Sequence, residues 1–547
     1  MTRQASTRAR IGTLAIDAAT IGSVALVLAA FYCGSKIVPP VEASLLFPRL
    51  RSFDFNFAAP DYFPWTDLAA NVFMGFALAH GWPIVDAGTV NHMPGVAQYL
   101  GAWFWLFGFG GAAPSPQTAA AAYLVACFAT LVFEAACVYV PLRLLAFSPS
   151  LAGLASLAVC ASTAFAYDFA MPMSETLIAY LLIPMSLLAA RTLLADSSAE
   201  RVVAAILLGG PATLVCLALG LTVAPANAVI ALACLVVLVR ELRREPANWR
   251  VLLHDRRCQA AYAIVVALSV ATLVTTRAST LYFWAVASNS RRKMALLMRP
   301  SDIVADHLSG FLQLTDPLGS RFPQLLLVLL ASCTITWLAA RRRADRSRLA
   351  IRLALFAALI VTAAVMTQWR TGAGYKSATL LGLTVGVGLL ALESLPSRWR
   401  ALSAIWLTPL WLLALGQIMF LRAAVVHPAA PPVRPAAFEA AHVCRLDQTQ
   451  DCRCVQVTVY GPQLFILNDM RPCPNRNLTF DSNAGALAVT RRWITDDARN
   501  RSMVFWVYQS DSLMLENGVP PELVRYWRTQ AQCERIDDTS ALCHPRE

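Results

Sequence analysis

Long apolar runs recur along most of this chain, and short polar or basic stretches separate them. Each run has 17 or more residues, enough for a helix to cross about 30 Å of hydrocarbon. The runs are continuous rather than alternating, which excludes a transmembrane β-barrel. We therefore predict an all-α polytopic membrane protein with about eleven spanning helices, over 12–35, 117–142, 150–167, 175–194, 202–220, 222–240, 260–286, 323–340, 351–368, 376–394 and 401–421.

The basic loops between these helices set the predicted orientation. Arginines cluster at 240–257, 341–348 and 398–400, on the same side as the basic N-terminus. Positive loops remain in the cytoplasm, so an odd number of helices places the C-terminus outside. The basic segment Met1–Arg10 precedes a long apolar run, which is typical of a retained signal-anchor helix rather than a cleaved signal peptide.

Composition supports a membrane protein and explains its positive charge. The chain is 57% hydrophobic, its mean hydropathy is +0.54 and its formal net charge is +12. A basic balance often indicates nucleic-acid binding. Here the basic residues lie between apolar segments, so membrane topology explains them and no nucleic-acid partner is expected. The abundance of arginine and alanine is typical of a GC-rich bacterial genome, which predicts the bacterial cytoplasmic (inner) membrane.

The first outer loop contains two predicted amphipathic helices. Asp67–His80 begins after Pro64, and Asp67 and Asn71 share its polar face because they are four residues apart. Val96–Phe109 is apolar and aromatic, but its 14 residues are too few for an ordinary span. We expect both segments to be interfacial helices.

Polar residues in the same loop form a candidate substrate site. They are Asp61, Asp67, Asn71, Asp86 and His92. Such residues are costly to keep dry between spanning helices, so they usually line a site. Asp67 is the candidate general base that would activate an acceptor hydroxyl. The alternative is an Asp that only stabilises a helix N-terminus.

A second acidic position follows at the outer end of the next predicted helix pair. Glu175 lies where the chain enters the membrane again, and Asp168 lies in the segment before it. Glu175 is a candidate supporting carboxylate at the depth of the first loop. Ser174 and Glu175 also open a helix, so a capping role is the alternative and is compatible with the first.

Two groups of cations lie in predicted outer loops, where the positive-inside bias disfavours them. They are Arg291, Arg292, Lys293 and Arg299 in the loop 287–322, and Arg370 and Lys376 around a segment that ends at Tyr375. A phosphate at the membrane surface would offset that bias through charge-assisted hydrogen bonds. The alternative is that these side chains extend to lipid head groups.

The composition changes after Leu421, the end of the predicted membrane domain of residues 1–421. Four prolines between 428 and 435 predict a stiff linker over 422–436. The stretch 437–547 is polar and mixed in charge, with β-like runs at Val455–Tyr460 and Met503–Tyr508. We predict that it is a small α+β domain outside the cytoplasm.

Cysteine usage fits this topology. Six of the 14 cysteines lie in the tail, at Cys444, Cys452, Cys454, Cys473, Cys533 and Cys543. An even number in a domain predicted outside the cytoplasm favours disulfides, whose connectivity the sequence leaves open. A zinc site would need tighter paired spacing than Cys452 and Cys454 offer. The membrane cysteines are expected to be small apolar core residues.

The first outer loop resembles a known family. The pattern is Asp67, then Gly81 fourteen residues on, then Pro-Ile-Val-Asp86, His-Met-Pro94-Gly and Leu-Phe-Gly108. It is similar to the first-loop pattern of the GT-C glycosyltransferases. Within them it is closest to the protein O-mannosyltransferase-like branch, which includes the lipid A aminoarabinose transferases. The resemblance covers residues 55–110, extends as topology to about residue 421 and leaves the tail out.

The resemblance implies a catalytic Asp in the first outer loop, which Asp67 matches, and a second acidic residue, which Glu175 matches with Asp168 as a rival. It implies a polyprenyl-phosphate-sugar donor whose phosphate meets the outer-loop cations. The implied reaction is inverting transfer to a hydroxyl of an envelope glycan or glycolipid. Asp61, Asn71, Asp86, His92, Asp168 and Tyr375 are then the candidate substrate-binding residues. Divalent-metal use varies in the family, and the sequence assigns no metal or other cofactor.

Two departures from the family pattern leave the sugar and the acceptor open. Thr66 and Leu68 flank Asp67, so the usual acidic pair is absent, and His92-Met93-Pro94 stands where many relatives have Lys-Pro-Pro. The competing function is a transporter or flippase, which favours broken helices and ionisable groups at mid-bilayer. A non-catalytic scaffold whose tail binds a cell-wall polymer is a third alternative.

Overall fold

The computed structural model describes residues 2–32, 75, 78–79, 94–108, 116–161, 174–219, 224–275, 382, 385–386, 388–389, 392, 454–457, 503–506, 529, 531–535 and 541–545. The chain divides into two compact units. The first contains residues 1–36, 127–274 and 294–426, and the second contains 37–126, 275–293 and 427–547.

The described membrane part is helical. Its helices are α1 (Thr2–Tyr32), α2 (Pro94–Gly108), α3 (Pro116–Leu144), α4 (Pro149–Cys160), α5 (Ser174–Leu194), α6 (Ser198–Leu207), α7 (Thr213–Leu219), α8 (Ala224–Arg244), α9 (Asn248–His254) and α10 (Arg256–Thr275). Four stretches of the described residues are long and apolar enough to cross a membrane: Gly12–Ala30, Val125–Leu144, Leu177–Leu194 and Ser198–Leu219. The protein is therefore membrane-embedded, as predicted.

The predicted helices up to residue 275 agree with these elements. The separation predicted between 202–220 and 222–240 agrees with a contact between α7 and α8: Asn227 Nδ2 donates to the Thr213 carbonyl (3.4 Å), whereas residues 14 apart on one continuous helix would lie about 21 Å apart. Six helical positions between 382 and 392 fall inside the predicted helix 376–394. The predicted helices 323–340, 351–368 and 401–421 lie outside the described residues, so the total of eleven stays a prediction.

One helical run contains an irregular turn that the sequence pattern did not predict. Leu208–Ala212 forms a π turn between α6 and α7 and contains Pro211, which has no backbone N–H to donate. The Thr213 hydroxyl donates to the carbonyls of Gly209 (2.7 Å) and Gly210 (3.1 Å). The Thr213 backbone N–H donates to the carbonyls of Gly210 and Leu208, so the hydroxyl adds a bond to Gly209 and a second donor at Gly210.

The core of the first unit forms between α1, α3, α4, α5 and residues 385–392. Glycines bring helices into close contact there, as membrane helices commonly do. A Cβ on Gly153 would lie 2.7 Å from Thr20 Cγ2, and one on Gly382 would overlap the Ala179 carbonyl. The membrane cysteines whose side chains the structure describes, Cys127, Cys137, Cys160, Cys216, Cys234 and Cys258, are buried, as expected for core residues.

The described part of the tail forms a four-stranded mixed sheet. Its strands are β1 (Cys454–Val457), β2 (Met503–Trp506), β3 (Ala531–Arg535) and β4 (Ala541–Pro545), in the order β1-β2-β4-β3. β1 and β2 are parallel, and β4 is antiparallel to both of its neighbours. β1 overlaps the β-like run predicted from 455, and β2 lies within the run predicted from 503. Sequence reasoning missed β3 and β4, which contain no β-branched or aromatic residue.

Candidate functional site

The structure describes elements that neighbour the predicted site along the chain rather than its polar side chains. Asp61, Asp67, Asn71, Asp86, His92, Asp168, Arg291, Arg292, Lys293, Arg299, Arg370, Tyr375 and Lys376 lie outside the described residues. Glu175 is described through its backbone, in the first turn of α5.

A contact between two glycines holds the described residues 75, 78 and 79 of the predicted first outer loop against α2. Gly75, Leu78 and Ala79 are helical, as predicted for 67–80. A Cβ on Gly75 would lie 2.8 Å from Leu100 Cβ, and one on Gly101 would lie 2.9 Å from the Gly75 carbonyl oxygen. Both separations are shorter than real Cβ contacts, so the two backbones touch and no side chain fits at either position.

The position of Gly75 relates this contact to the proposed base. In the predicted helix over 67–80, Gly75 follows Asn71 by four residues and Asp67 by eight. Residues four apart lie on one side of a helix. At about 100° per residue, Gly75 lies about 40° from Asn71 and about 20° from Leu68. The contact with α2 therefore lies where the polar and apolar faces of the predicted helix meet, about two turns from Asp67.

α2 is in turn bound to α3. The Tyr99 hydroxyl donates a hydrogen bond of 2.7 Å to the Ala126 carbonyl, and its ring meets Trp103 edge-to-face with centroids 6.3 Å apart. One side of α2 is buried, whereas Trp105 and Leu106 are 56% and 52% exposed. A 15-residue helix with one exposed apolar face fits the expected interfacial position.

The backbone of Glu175 is fixed by the turn that follows it. α5 begins at Ser174, as predicted, and Leu177, Ile178 and Tyr180 are buried. The backbone of Ala179 lies directly against Gly382. A carboxylate in the first turn of a helix is stabilised by the unpaired N–H groups and the helix dipole. Capping and catalytic support therefore stay compatible for Glu175.

Sequence reasoning missed a charge network at the opposite, predicted cytoplasmic, ends of the helices. The Glu241 side chain is fully buried and accepts from Arg201 Nη2 (2.7 Å), Ser198 Oγ (2.8 Å) and Arg240 Nη2 (2.7 Å). The Arg201 hydrogen bond is the main cause that lowers the pKa of Glu241 to about 2, while burial opposes it. The residues of this network lie up to 43 positions apart in the chain, so no local sequence motif predicts it.

A second, exposed ion pair lies beside this network. Arg257 binds Glu200 at 3.0 Å and Asp255 at 3.1 Å, and the Arg257 hydrogen bond lowers the pKa of Asp255. Pairs this exposed stabilise a protein by at most about 1 kcal/mol. Among the residues that the structure describes, no group of three or more His, Cys, Asp or Glu side chains could hold a metal ion.

Comparison with solved structures finds proteins whose fold is similar to that of this chain. No family model matches the sequence, and no curated protein matches it. ArnT from Cupriavidus metallidurans in the apo state matches with a TM-score of 0.52 and 12% identity, over 98% of each chain. The same protein bound to undecaprenyl phosphate matches with a TM-score of 0.51 and 13% identity, over 96% of this chain and 97% of that one.

At this identity the comparison establishes the fold. The chain has a fold similar to that of ArnT over nearly its whole length. The likeness also extends further than the sequence resemblance did. The sequence resemblance excludes the tail, whereas the structural match covers 98% of the chain and therefore includes it.

Proposed function

We propose that this ArnT-like chain is a polyprenyl-phosphate-sugar-dependent glycosyltransferase of the bacterial inner membrane. It transfers the sugar to a hydroxyl of an envelope glycan or glycolipid on the extracytoplasmic side. The observation that carries the proposal is the fold likeness over nearly the whole chain, which includes an ArnT structure bound to undecaprenyl phosphate. The first-loop pattern around Asp67 is independent support.

Asp67 is the proposed base. Its carboxylate takes the proton of the acceptor hydroxyl as that oxygen attacks the anomeric carbon, and the bond to the lipid phosphate breaks with inversion. The phosphate leaves with the bonding electron pair, so no second carboxylate has to protonate it. The glycine contact between Gly75 and Gly101 supports this assignment, because it holds the predicted helix of Asp67 in one position.

The other predicted residues bind the two substrates. Glu175 orients donor or acceptor hydroxyls, with Asp168 as its rival. Asp61, Asn71, Asp86, His92 and Tyr375 contact the sugar or the acceptor. Arg291, Arg292, Lys293, Arg299, Arg370 and Lys376 hold the donor phosphate, and their placement against the positive-inside bias motivates this role. The tail, 437–547, lies outside the cytoplasm and contains disulfides.

Two measurements test the proposal. Mass spectrometry of lipid that co-purifies with the protein should find a polyprenyl phosphate, with or without its sugar. Asp67→Asn should then lower transfer by about 10²–10⁴, the usual effect of losing a general base, with donor binding unchanged. Asp196→Asn is a matched control, because Asp196 lies in the loop between α5 and α6 at the predicted cytoplasmic end. Transfer by Asp67→Asn at the wild-type rate would move the base to Asp61, Asp86 or Glu175.

A transporter or flippase is the second candidate, and two observations favour it. Glu134 is buried within the span Val125–Leu144, and ionisable groups inside membranes often mark transport pathways. The π turn interrupts the span Ser198–Leu219, as broken helices do in transporters. Proteoliposomes separate the two functions. A flippase moves labelled polyprenyl-phosphate sugar across the bilayer without an acceptor, whereas the proposed enzyme consumes it only when the acceptor is present.

A further inference from the structure

The short helix α9 joins α8 to α10 and is fixed at its start by a buried amide. Asn248 is 2% exposed. Its Nδ2 donates to Ser198 Oγ (2.6 Å) and to the Glu241 carbonyl (3.0 Å). These hydrogen bonds therefore attach the start of α9 to the buried network of Glu241.

Side chains of α10 fix the other end of α9. The Tyr262 hydroxyl donates to the Leu252 carbonyl (3.0 Å), and Gln259 Nε2 donates to the Leu253 carbonyl (3.2 Å). These carbonyls belong to the last turn of the helix, where no intrahelical donor reaches them. With both ends bound, α9 presents one constant surface.

The surface that α9 presents is apolar and basic. Trp249 and Leu253 are 53% and 58% exposed, and their four-residue spacing places them on one side of the helix. Arg243, Arg244 and Arg250 are also exposed. Exposed tryptophan among cations is the composition of a membrane interface, where the ring lies at head-group level.

An exposed apolar stripe on α8 leads to these arginines. Val229, Leu232, Val236 and Val239 are 68%, 61%, 61% and 39% exposed. Their spacing of three, four and three residues continues four residues on to Arg243, so all five lie along one side of the helix. An acyl chain along this stripe would bring its head group to the arginines.

The charge balance selects an anionic head group. Residues 240–257 contain six arginines and three acids. Glu241 and Asp255 are each paired with arginine, which leaves Glu245 as the exposed acid of this stretch. A phosphate diester accepts charge-assisted hydrogen bonds from guanidinium groups. An acidic protein segment would match the charge but not the apolar stripe that precedes it.

We propose that α9 and the end of α8 bind an anionic phospholipid of the predicted cytoplasmic leaflet. The acyl chain lies along the α8 stripe. The phosphate meets Arg243, Arg244 and Arg250, and Trp249 and Leu253 lie among the neighbouring head groups. This inference is independent of the proposed catalytic function, since it uses the opposite end of the helices.

Native mass spectrometry of the full chain, titrated with phosphatidylglycerol or phosphatidylcholine, tests the site. Each arginine near an anionic head group contributes about fivefold to binding, so three contribute roughly a hundredfold. Replacement of Arg243, Arg244 and Arg250 by Gln should lower phosphatidylglycerol affinity by that factor and leave phosphatidylcholine affinity unchanged. If the triple variant fails to fold, Arg250→Gln alone should lower it about fivefold.

Glu245→Gln is the matched control. It changes an exposed side chain of the same stretch, and it should maintain or raise phosphatidylglycerol affinity because it removes a negative charge. Equal affinity of the wild-type protein for the two lipids would overturn the proposal. So would a triple variant that binds phosphatidylglycerol like the wild type. Bound phosphatidylglycerol can also be competed with poly-glutamate or with added phosphatidylglycerol. If poly-glutamate displaces it at the lower concentration, the site binds an acidic protein segment and the proposal is overturned.

Discussion

Replacing Glu241 by Gln tests the buried charge network most directly. The substitution maintains the size of the side chain and its ability to accept a hydrogen bond. It removes the negative charge of the carboxylate to which Arg201, Ser198 and Arg240 donate hydrogen bonds. It also leaves the Arg201 guanidinium, which is 14% exposed, without its carboxylate. We therefore expect a large loss of stability from a change that creates no cavity.

The pKa of Glu241 gives the magnitude. A fall from 4.5 to about 2 corresponds to about 3 kcal/mol of stability at neutral pH. Breaking a buried pair by removing one partner typically costs about 3–5 kcal/mol, which agrees. The folded-state pKa is lowered, so this stabilisation is complete above pH 4.5 and is lost as the pH falls towards 2. Glu241→Gln should remove that part of the acid sensitivity.

Equilibrium unfolding in mixed detergent micelles measures both effects. At pH 7 the Glu241→Gln protein should be about 3 kcal/mol less stable than the wild type. Glu245→Gln, at an exposed position on the same segment, should change stability by less than about 0.5 kcal/mol. In a double-mutant cycle with Arg201→Gln, the loss from Glu241→Gln should shrink, because its main partner has gone. An unchanged unfolding free energy for Glu241→Gln would refute the network as a stabilising element.

Three further predictions concern the outer side. Gly101→Val should displace the predicted helix of the proposed base, and it should lower the turnover number far more than the apparent affinity for the lipid donor. The control is Gly22→Ala, which should leave transfer kinetics unchanged because a Cβ on Gly22 meets nothing within 4 Å. If Arg292 contacts the donor phosphate, Arg292→Gln should raise the apparent KM for the lipid donor about tenfold. If donor binding is unchanged in the corresponding variant of every predicted outer-loop cation, these side chains only reach lipid head groups. Cys533 and Cys543 are directly opposite on antiparallel strands, where Cα atoms lie about 4.5–5.5 Å apart, within the range that a disulfide needs. Non-reducing peptide mapping should recover this link, and two free thiols at these positions would contradict it.

The sequence predicted the features that depend on local pattern. Apolar length was enough to place α1, α3, α5 and α8, and the stretch from Gly220 to Pro225 was the signal that separated α7 from α8. The helical backbone of Gly75 also followed from the periodicity of its segment. In each of these cases, the signal lies within one window of the chain.

The features that the sequence did not predict depend on distant residues. Arg201 and Glu241 are 40 positions apart, and only the packing of α6 beside α8 brings them together. Gly75 and Gly101 each look like an ordinary small residue until their backbones meet. The π turn lies in a run whose apolar character is uninterrupted, so hydropathy gives no sign of it.

The π turn between α6 and α7 has a consequence for how this segment tolerates insertions and deletions. A π turn accommodates one residue more than the α-helical turn it replaces within the same full rotation. Deleting Gly209 would therefore narrow this turn and leave the rotational phase of α7 relative to α6 unchanged, so Cys216 and Leu219, which are 1% and 8% exposed, would stay in the core. A one-residue deletion in the regular part of α6 would instead rotate the following residues by about 100° and turn these side chains out of the core. The π turn is therefore the place where homologous chains can differ by one residue and keep the same buried face on α7.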